Sequence, residues 1–324
     1  MAIRGWRTAR VVDGPHRVRP EDITPLNGVF SDAFTDRYRK DGMSGVRVPQ
    51  LNPAIWRYAI ADAGNGAMLW RGERGEIAAF NIAHRSGIEG WMGPLAVRPE
   101  FQGSGTGKDV VRAGVDWLRA EGAITIGLET MPRTMDNIGF YSSLGFRPGR
   151  LTLTLSLDGE AATRSARLLG RQSPRARSDL IAECRAVTDA AMRGYDFTRE
   201  IELTLELGLG DAMLIEDGDR VVGFALCHTT PLVEGRPHEE LRVLKLVLSP
   251  GTRPERAAQL LADYARHAGA RRVALRVQGE YGELYECLIG LGARVRWTDL
   301  RMTLGESVEL KAAEGAVVLS NWEI

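Results

Sequence analysis

Trp91-Met92-Gly93-Pro94-Leu95-Ala96-Val97, followed after four residues by Gln102-Gly103-Ser104-Gly105-Thr106-Gly107-Lys108, is the stretch whose reading decides the fold. The first run is apolar and strand-like. The second is a glycine turn, and after it Val110, Val111, Val115, Trp117 and Leu118 recur at helical spacing. A strand feeding a glycine turn that opens a helix is an anion site. The first helical N–H groups lack partners, the helix dipole is positive there, and glycines let a phosphate approach the main chain.

The known glycine patterns then discriminate among phosphate ligands. A P-loop needs Gly where Gln102 stands and Ser or Thr where Asp109 stands, so the magnesium-binding hydroxyl is missing. The dinucleotide fingerprint needs a third Gly where Lys108 or Val110 stands, depending on register. What fits is Gln-x-x-Gly-x-Gly, at Gln102, Gly105 and Gly107. A second motif follows at Asn137-Ile138-Gly139-Phe140-Tyr141-Ser142-Ser143-Leu144-Gly145-Phe146. On these two motifs, joined by one helix and one strand, the chain resembles the GNAT superfamily of acetyl-CoA-dependent N-acyltransferases.

Composition sets wide bounds. The 324 residues suit two domains, 44% apolar and 26% charged content suits a soluble globular chain, and 42 basic residues balance 42 acidic ones. A net charge of zero excludes attraction of the whole molecule to nucleic acid or an anionic membrane. Cys184, Cys227 and Cys287 lie far apart without metal-ligand spacing, so no metal is expected. With no apolar signal core and no run long enough for a span, the expected location is cytoplasmic.

Along the chain, residues 1 to 15 read as a polar leader, His16 to Arg19 as a strand, and Pro20 to about Phe34 as a helix. Asp36 to Pro49 lacks periodicity and reads as a loop, and Asn52-Pro53 caps a second helix. A hairpin about Gly72 to Gly75, a strand from Glu89 to Val97, a helix ending at Gly122 and a buried strand at Ile124 to Leu128 follow. The pattern then repeats. Ala67-Met68-Leu69, Phe80 and His84 recur as Ala212-Met213-Leu214, Phe224 and His228, an offset of about 145 residues, which is domain-sized. The expected architecture is α/β, in the α+β sense: two tandem GNAT-like domains, each a mixed, mostly antiparallel twisted sheet flanked by helices. The boundaries are 1–158 for the acetyl-CoA-binding domain, 159–178 for a linker and 179–324 for a degenerate second domain. Ungapped counting puts Arg253, Arg256 and Ala258 where the first copy has Gln102, Gly105 and Gly107, and Leu288 where it has Tyr141, with Tyr285 one turn earlier.

The resemblance implies acetyl-CoA as co-substrate. Its pyrophosphate would lie on Gln102, Gly103, Ser104, Gly105, Thr106, Gly107 and Lys108, and its pantetheine arm on the main chain of Leu95, Ala96 and Val97. It also implies that Asp36 to Pro49 lines the acceptor site, that Asn137 binds the cofactor arm or a water, and that Tyr141 is the general acid near the departing sulfur. The plainer role for Tyr141 is aromatic packing with Phe140, that for Asn137 a helix cap, and that for Lys108 solvation. The base is open between Glu89 and Glu129, each of which also reads as a solvated strand end. His84, echoed by His228 in the degenerate copy, reads as structural. The expected activity is acetyl transfer to a primary amine of a small molecule or peptide, by direct attack in a ternary complex, in a monomer or homodimer; the alternative is a CoA-binding module without turnover. The apolar segment Gly315 to Ile324 reads as a strand that completes the second sheet or crosses to the first, with the spacer Glu306 to Glu314 favouring the crossing.

Overall fold

The computed structural model describes residues 11–159, 166–307 and 309–322. Residues 1–10 of the expected leader, 160–165 of the expected linker, and the last two residues of the expected C-terminal strand lie outside these ranges.

The first half runs β1 (Val12–Arg17), α1 (Ile23–Lys40), α2 (Pro53–Ala63), β2 (Ala67–Gly72), β3 (Ile77–Ser86), β4 (Glu89–Val97), α3 (Thr106–Ala120), β5 (Thr125–Thr130), α4 (Met135–Ser142) and β6 (Phe146–Asp158). The second repeats it with β7 (Arg167–Leu168), α5 (Pro174–Ala191), α6 (Thr198–Glu206), β8 (Gly210–Asp217), β9 (Arg220–His228), β10 (Glu240–Leu248), α7 (Pro254–His267), β11 (Arg272–Gln278), α8 (Gly282–Gly290) and β12 (Arg294–Leu304), and then adds β13 (Val317–Ser320). β7 and the first turn of α5 fall inside the stretch expected as linker. Ser173 caps α5 by accepting from the Ala176 N–H, with Pro174 as first helical residue, so this second-half helix starts before residue 179. Asn52 caps α2 in the same way, through the Ala54 N–H at 2.9 Å. α1 runs six residues past the expected end at Phe34. Its last turn lacks apolar periodicity but holds Lys40 on Asp36 at 2.7 Å and Arg37 on Asp41, with basic side chains at the negative end of the dipole.

All strands join one 13-stranded sheet of order β1-β2-β3-β4-β5-β12-β6-β11-β10-β9-β8-β7, with β13 on β10. Among the described residues only β4–β5 and β10–β11 pair in parallel. The centre of that order is an exchange. β12, from the second half, pairs with β5 of the first through Leu300↔Thr130 and Met302↔Leu128. β6, from the first half, pairs with β11 of the second through seven residue pairs, Thr152↔Gln278 to Asp158↔Arg272. Each half thus lends its last repeat strand to the other. The edge of β5 in the first half is covered by β12.

β13 corrects the expected crossing. It pairs antiparallel with β10 of its own half, Val317↔Leu248 to Ser320↔Lys245, and buries Val318 and Leu319. The reason is an available edge, since β10 parts from β11 after Arg242 and leaves its backbone groups open to a partner. The last residue of β13, Ser320, and Trp322 beyond it reach the first half, both donating to Glu89. Trp322 lies so close over β5 that a Cβ on Gly127 would sit 2.3 Å from its ring, which only glycine avoids.

Candidate active site

α3 begins at the glycine turn because Gly103 (φ +83°) and Gly105 (φ +99°) adopt left-handed conformations that other residues resist. Gly105 is the N-cap, and its carbonyl accepts from the N–H groups of Lys108 at 2.8 Å and Asp109 at 3.3 Å. Thr106 and Gly107 precede these donors as the first two helical residues, where an α-helix offers its N–H groups outward. Ser104 ties the turn to the Phe101 carbonyl at 2.8 Å and Gln102 ties it to the Val97 carbonyl at 2.9 Å, so Gln102 braces the turn with its side chain. Lys108 is exposed.

β4 pairs with β5 only from Glu89↔Thr125 to Met92↔Leu128. An extra residue on β4 then shifts its register against β3 between Asn81 and Ala83, and Leu95, Ala96 and Val97 keep β3 as partner while their other edge has left β5. The splay opens into a cavity of about 350 Å³. Its floor is Met92 to Leu95 and Leu128 to Met131; Asn137 and Tyr141 of α4 form one wall, and Phe30, Phe34, Arg37 and Tyr38 of α1 another. Val48, Pro49 and Leu51, from the segment between α1 and α2, close it. The second half supplies Leu232, Val233, Trp297, Asp299 and Trp322. A separate hollow of about 520 Å³ lies at Pro15 to Asp22 and Arg71, on the far edge of the sheet from this splay.

Of the residues singled out in the sequence, Leu95, Asn137, Tyr141 and Glu129 meet in the cavity. Burial pushes the Tyr141 phenol well above its usual pKa, so it stays protonated and able to donate. Its ring also packs edge-on against Phe140 at 5.2 Å and Phe146 at 6.1 Å, so packing and a place on the cavity wall coexist. Asn137 is in the first turn of α4, whose cap position is Thr134, and it donates to Thr130 Oγ1 at 3.4 Å.

The two carboxylates proposed as base are placed differently. Glu129 is on the cavity wall, but Arg301 donates to its Oε1 at 2.9 Å, Thr152 to the same oxygen at 2.5 Å and Arg276 to Oε2. Burial alone would raise its pKa; the guanidiniums of Arg276 and Arg301 outweigh burial and hold it below the usual range, which makes Glu129 a weak base. Glu89 is a correction. It is not a solvated strand end and does not line the cavity: it is 1% exposed, accepting from Ser320 Oγ at 2.5 Å and Trp322 Nε1 at 2.8 Å. It anchors the C-terminal segment, because a buried carboxylate needs donors on both oxygens. His84 is likewise internal, 2.6 Å from Asp62 and stacked on Trp91.

Asp299, Trp297 and Trp322 escaped the sequence reading. They lie more than 150 residues from Tyr141 in a half read as degenerate; the strand exchange brings Trp297 and Asp299 to the site, and the segment after β13 brings Trp322. The apolar run ending in Trp322 was the one available signal.

The second half differs at every corresponding point. Four residues rather than seven separate the end of β10 from the N-cap of the next helix, and that N-cap is Arg253, followed by Pro254. The ungapped count is therefore corrected by three residues: Arg253, not Arg256, stands opposite Gly105, because the turn itself is shorter. Leu288 does occupy the α8 position of Tyr141, six residues after the helix start in each case. β13 fills the splay between β10 and β11, and Tyr281 secures it by donating to the Val318 carbonyl at 3.0 Å. Among the described residues, no group of three His, Cys, Asp or Glu is arranged to hold a metal, and no helix is long and apolar enough to cross a membrane.

The model of the Acetyltransferase (GNAT) family matches residues 32–146, which contain the glycine turn, the splayed strand and Tyr141. This segment is a GNAT domain. No curated protein matches the sequence. In fold, the chain is similar to a candidate acetyltransferase from Pyrococcus horikoshii (TM-score 0.68, 17% identity, 99% of this chain and 98% of that one). It is also similar to a GCN5-related N-acetyltransferase from Sphaerobacter thermophilus (TM-score 0.60, 16% identity, 94% and 98%). A third is a tandem GNAT protein from the clavulanic acid biosynthesis pathway (TM-score 0.58, 12% identity, 93% and 100%). The architecture is thus that of tandem GNAT proteins, and acyl transfer is the general activity of the GNAT family.

Proposed function

We propose that the chain is an N-acetyltransferase with one working site, in the GNAT domain, which takes acetyl-CoA as acyl donor and a primary amine as acceptor. The observation that carries this reading is the open edge of Leu95 to Val97, lying between the glycine turn and the Tyr141 wall of one cavity. The outward N–H groups at Gly105 to Gly107 suit a pyrophosphate, and the free backbone edge suits the amides of a pantetheine arm. Bound there, acetyl-CoA supplies a thioester carbonyl within the splay. The neutral amine attacks the carbonyl carbon, the C–N bond forms and the C–S bond breaks. Tyr141 gives its phenolic proton to the leaving sulfur and regains one from the proton released by the nitrogen. From an ammonium the products are the amide, the free thiol and one proton. An acceptor and a donor sharing this one cavity would react by direct attack in a ternary complex.

Calorimetry with acetyl-CoA, followed by thiol release in the presence of an amine panel, tests the reading. One site per chain and amine-dependent thiol release are expected. Two equivalent sites, or tight binding with no release for any amine, would refute it.

A further inference from the structure

The cavity carries information about the acceptor that the family does not. Its lining is apolar and aromatic except for Arg37, Glu129, Thr130, Asn137 and Asp299. Arg37 is occupied by Asp41 and by Asp136 at 3.3 Å. Beneath the floor, three guanidiniums face four carboxylates: Arg276 on Glu129 and Asp299, Arg301 on Glu129 and Glu309, Arg150 on Glu309 and Glu280. One negative charge is in excess in that network. Asp299 is where it is least satisfied. Its side chain is 5% exposed, Trp297 Nε1 reaches Oδ1 at 3.3 Å, and Oδ2 has no aligned hydrogen-bond donor, Arg276 Nη1 standing 3.1 Å away off axis. Arg276 is shared between Asp299 and Glu129, so the charge on Asp299 is only partly offset, and a cation at the cavity wall is favoured by the excess negative charge behind it. Burial, and after it the opposing Arg276 and the reinforcing Glu129, leave the Asp299 pKa above the usual range, as this imbalance requires.

The mouth is aromatic. Trp297 is 36% exposed and faces Tyr38 of α1 at 6.2 Å between ring centroids, a large apolar surface left open at a pocket entrance. Above it the two halves meet: Leu51 bridges to Val233, and the Asn52 N–H donates to the Leu232 carbonyl at 2.8 Å. That contact ties the segment between α1 and α2 to the one between β9 and β10. It roofs the cavity where an extended polypeptide would need an open groove.

We infer that the acceptor is a small amine with an aromatic-sized apolar body and no carboxylate, its ammonium on the Asp299 side of the cavity wall and its body against the Tyr38–Trp297 ring pair. The inference rests on the acyl-transfer reading only for the word acceptor; the binding site stands on its own geometry. Among the described residues, the one guanidinium on the lining, Arg37, is paired with Asp41 and Asp136, so a carboxylate on the acceptor is disfavoured by charge, and neutral isosteres leave Asp299 as it is.

The test uses the full chain and three probes of one shape: 2-phenylethylamine, 2-phenylethanol and L-phenylalanine, with binding read by calorimetry. 2-Phenylethylamine is expected to bind at least about tenfold more tightly than the other two, the worth of one charge-assisted hydrogen bond. Asp299→Asn removes that preference without changing acetyl-CoA affinity. Trp297→Ala, at an exposed position that folding tolerates, weakens the amine and the alcohol alike. Equal affinity for L-phenylalanine, an unchanged preference in Asp299→Asn, or stronger binding of a dipeptide amine would overturn the inference. Binding of 2-phenylethylamine without acetylation would refute acyl transfer and uphold this site, whereas equal kcat/KM for L-phenylalanine and 2-phenylethylamine would refute this site and uphold acyl transfer.

Discussion

After Met92, β4 leaves β5 and the edge of Leu95 to Val97 stays open; after Arg242, β10 leaves β11 and the equivalent edge, Leu246 to Leu248, is bonded by Leu319 to Val317 of β13. Both strands carry the same extra residue at the point of departure, so the backbone device that splays the sheet is kept in both halves. What differs is the occupant. One half leaves its gap open, and the other has filled it with its own chain, replaced the glycine turn by Arg253-Pro254 and put Leu288 in the place of Tyr141. A duplicated fold can thus turn an open splay into a structural seam without altering the sheet around it.

The comparison breaks most sharply if the first half is given the second half's turn. Gly105→Arg forces a left-handed position onto a branched residue and fills the nest, so acetyl-CoA binding is expected to vanish in calorimetry while the circular dichroism spectrum stays native. Binding within threefold of wild type would mean that the turn is not the phosphate site.

Next in size is Trp322→Ala. The side chain is 1% exposed, donates to Glu89 and lies beneath Arg301 at 4.0 Å, so its removal leaves a cavity and a buried carboxylate short of a donor. A loss of about 3–5 kcal/mol in denaturant unfolding is expected. A loss below about 1 kcal/mol would show that β13 alone holds the seam.

Tyr141→Leu copies the second half directly. With the phenol gone, kcat should fall by about 10²-fold at unchanged acetyl-CoA affinity. Full turnover would return Tyr141 to packing alone.

The smallest effect separates the two buried histidines. Burial, then Arg242, holds the His228 pKa well below its usual value, so the folded protein keeps it neutral where the unfolded chain protonates it. Its contribution to stability is therefore present above about pH 6.5 and is lost as pH falls below that. His228→Gln should flatten the decline in Tm between pH 6.5 and 5; an unaltered slope would place the acid sensitivity elsewhere.

The local code was legible in the sequence, and the long-range partners were not. The glycine turn, the α4 motif and the hairpin were readable because each rests on neighbours within one or two turns of chain, as Gln102 does on Val97, and the repeat because the same local pattern recurs. Glu89 was misjudged because nothing near it announces that Ser320 and Trp322 will donate to it from 231 and 233 residues away. Asp299 was missed for the same reason. Its strand alternates like any other, and only its insertion beside β5 makes it part of a site. The α1 extension failed differently, since charged last turns carry no apolar period.

The exchange of β6 and β12 has a consequence for synthesis. Residues emerge in order, so β5 is made long before β12, the strand that will cover it, with Thr130 and Leu300 separated by 170 positions. At about 5–20 residues per second the nascent first half keeps a bare strand edge for roughly ten to thirty seconds. During that time β6 also has no β11 to lie against. The growing chain is thus a period of risk that the finished molecule no longer records, and a ribosome pause or a stop within the second half would release an open sheet rather than a smaller closed fold.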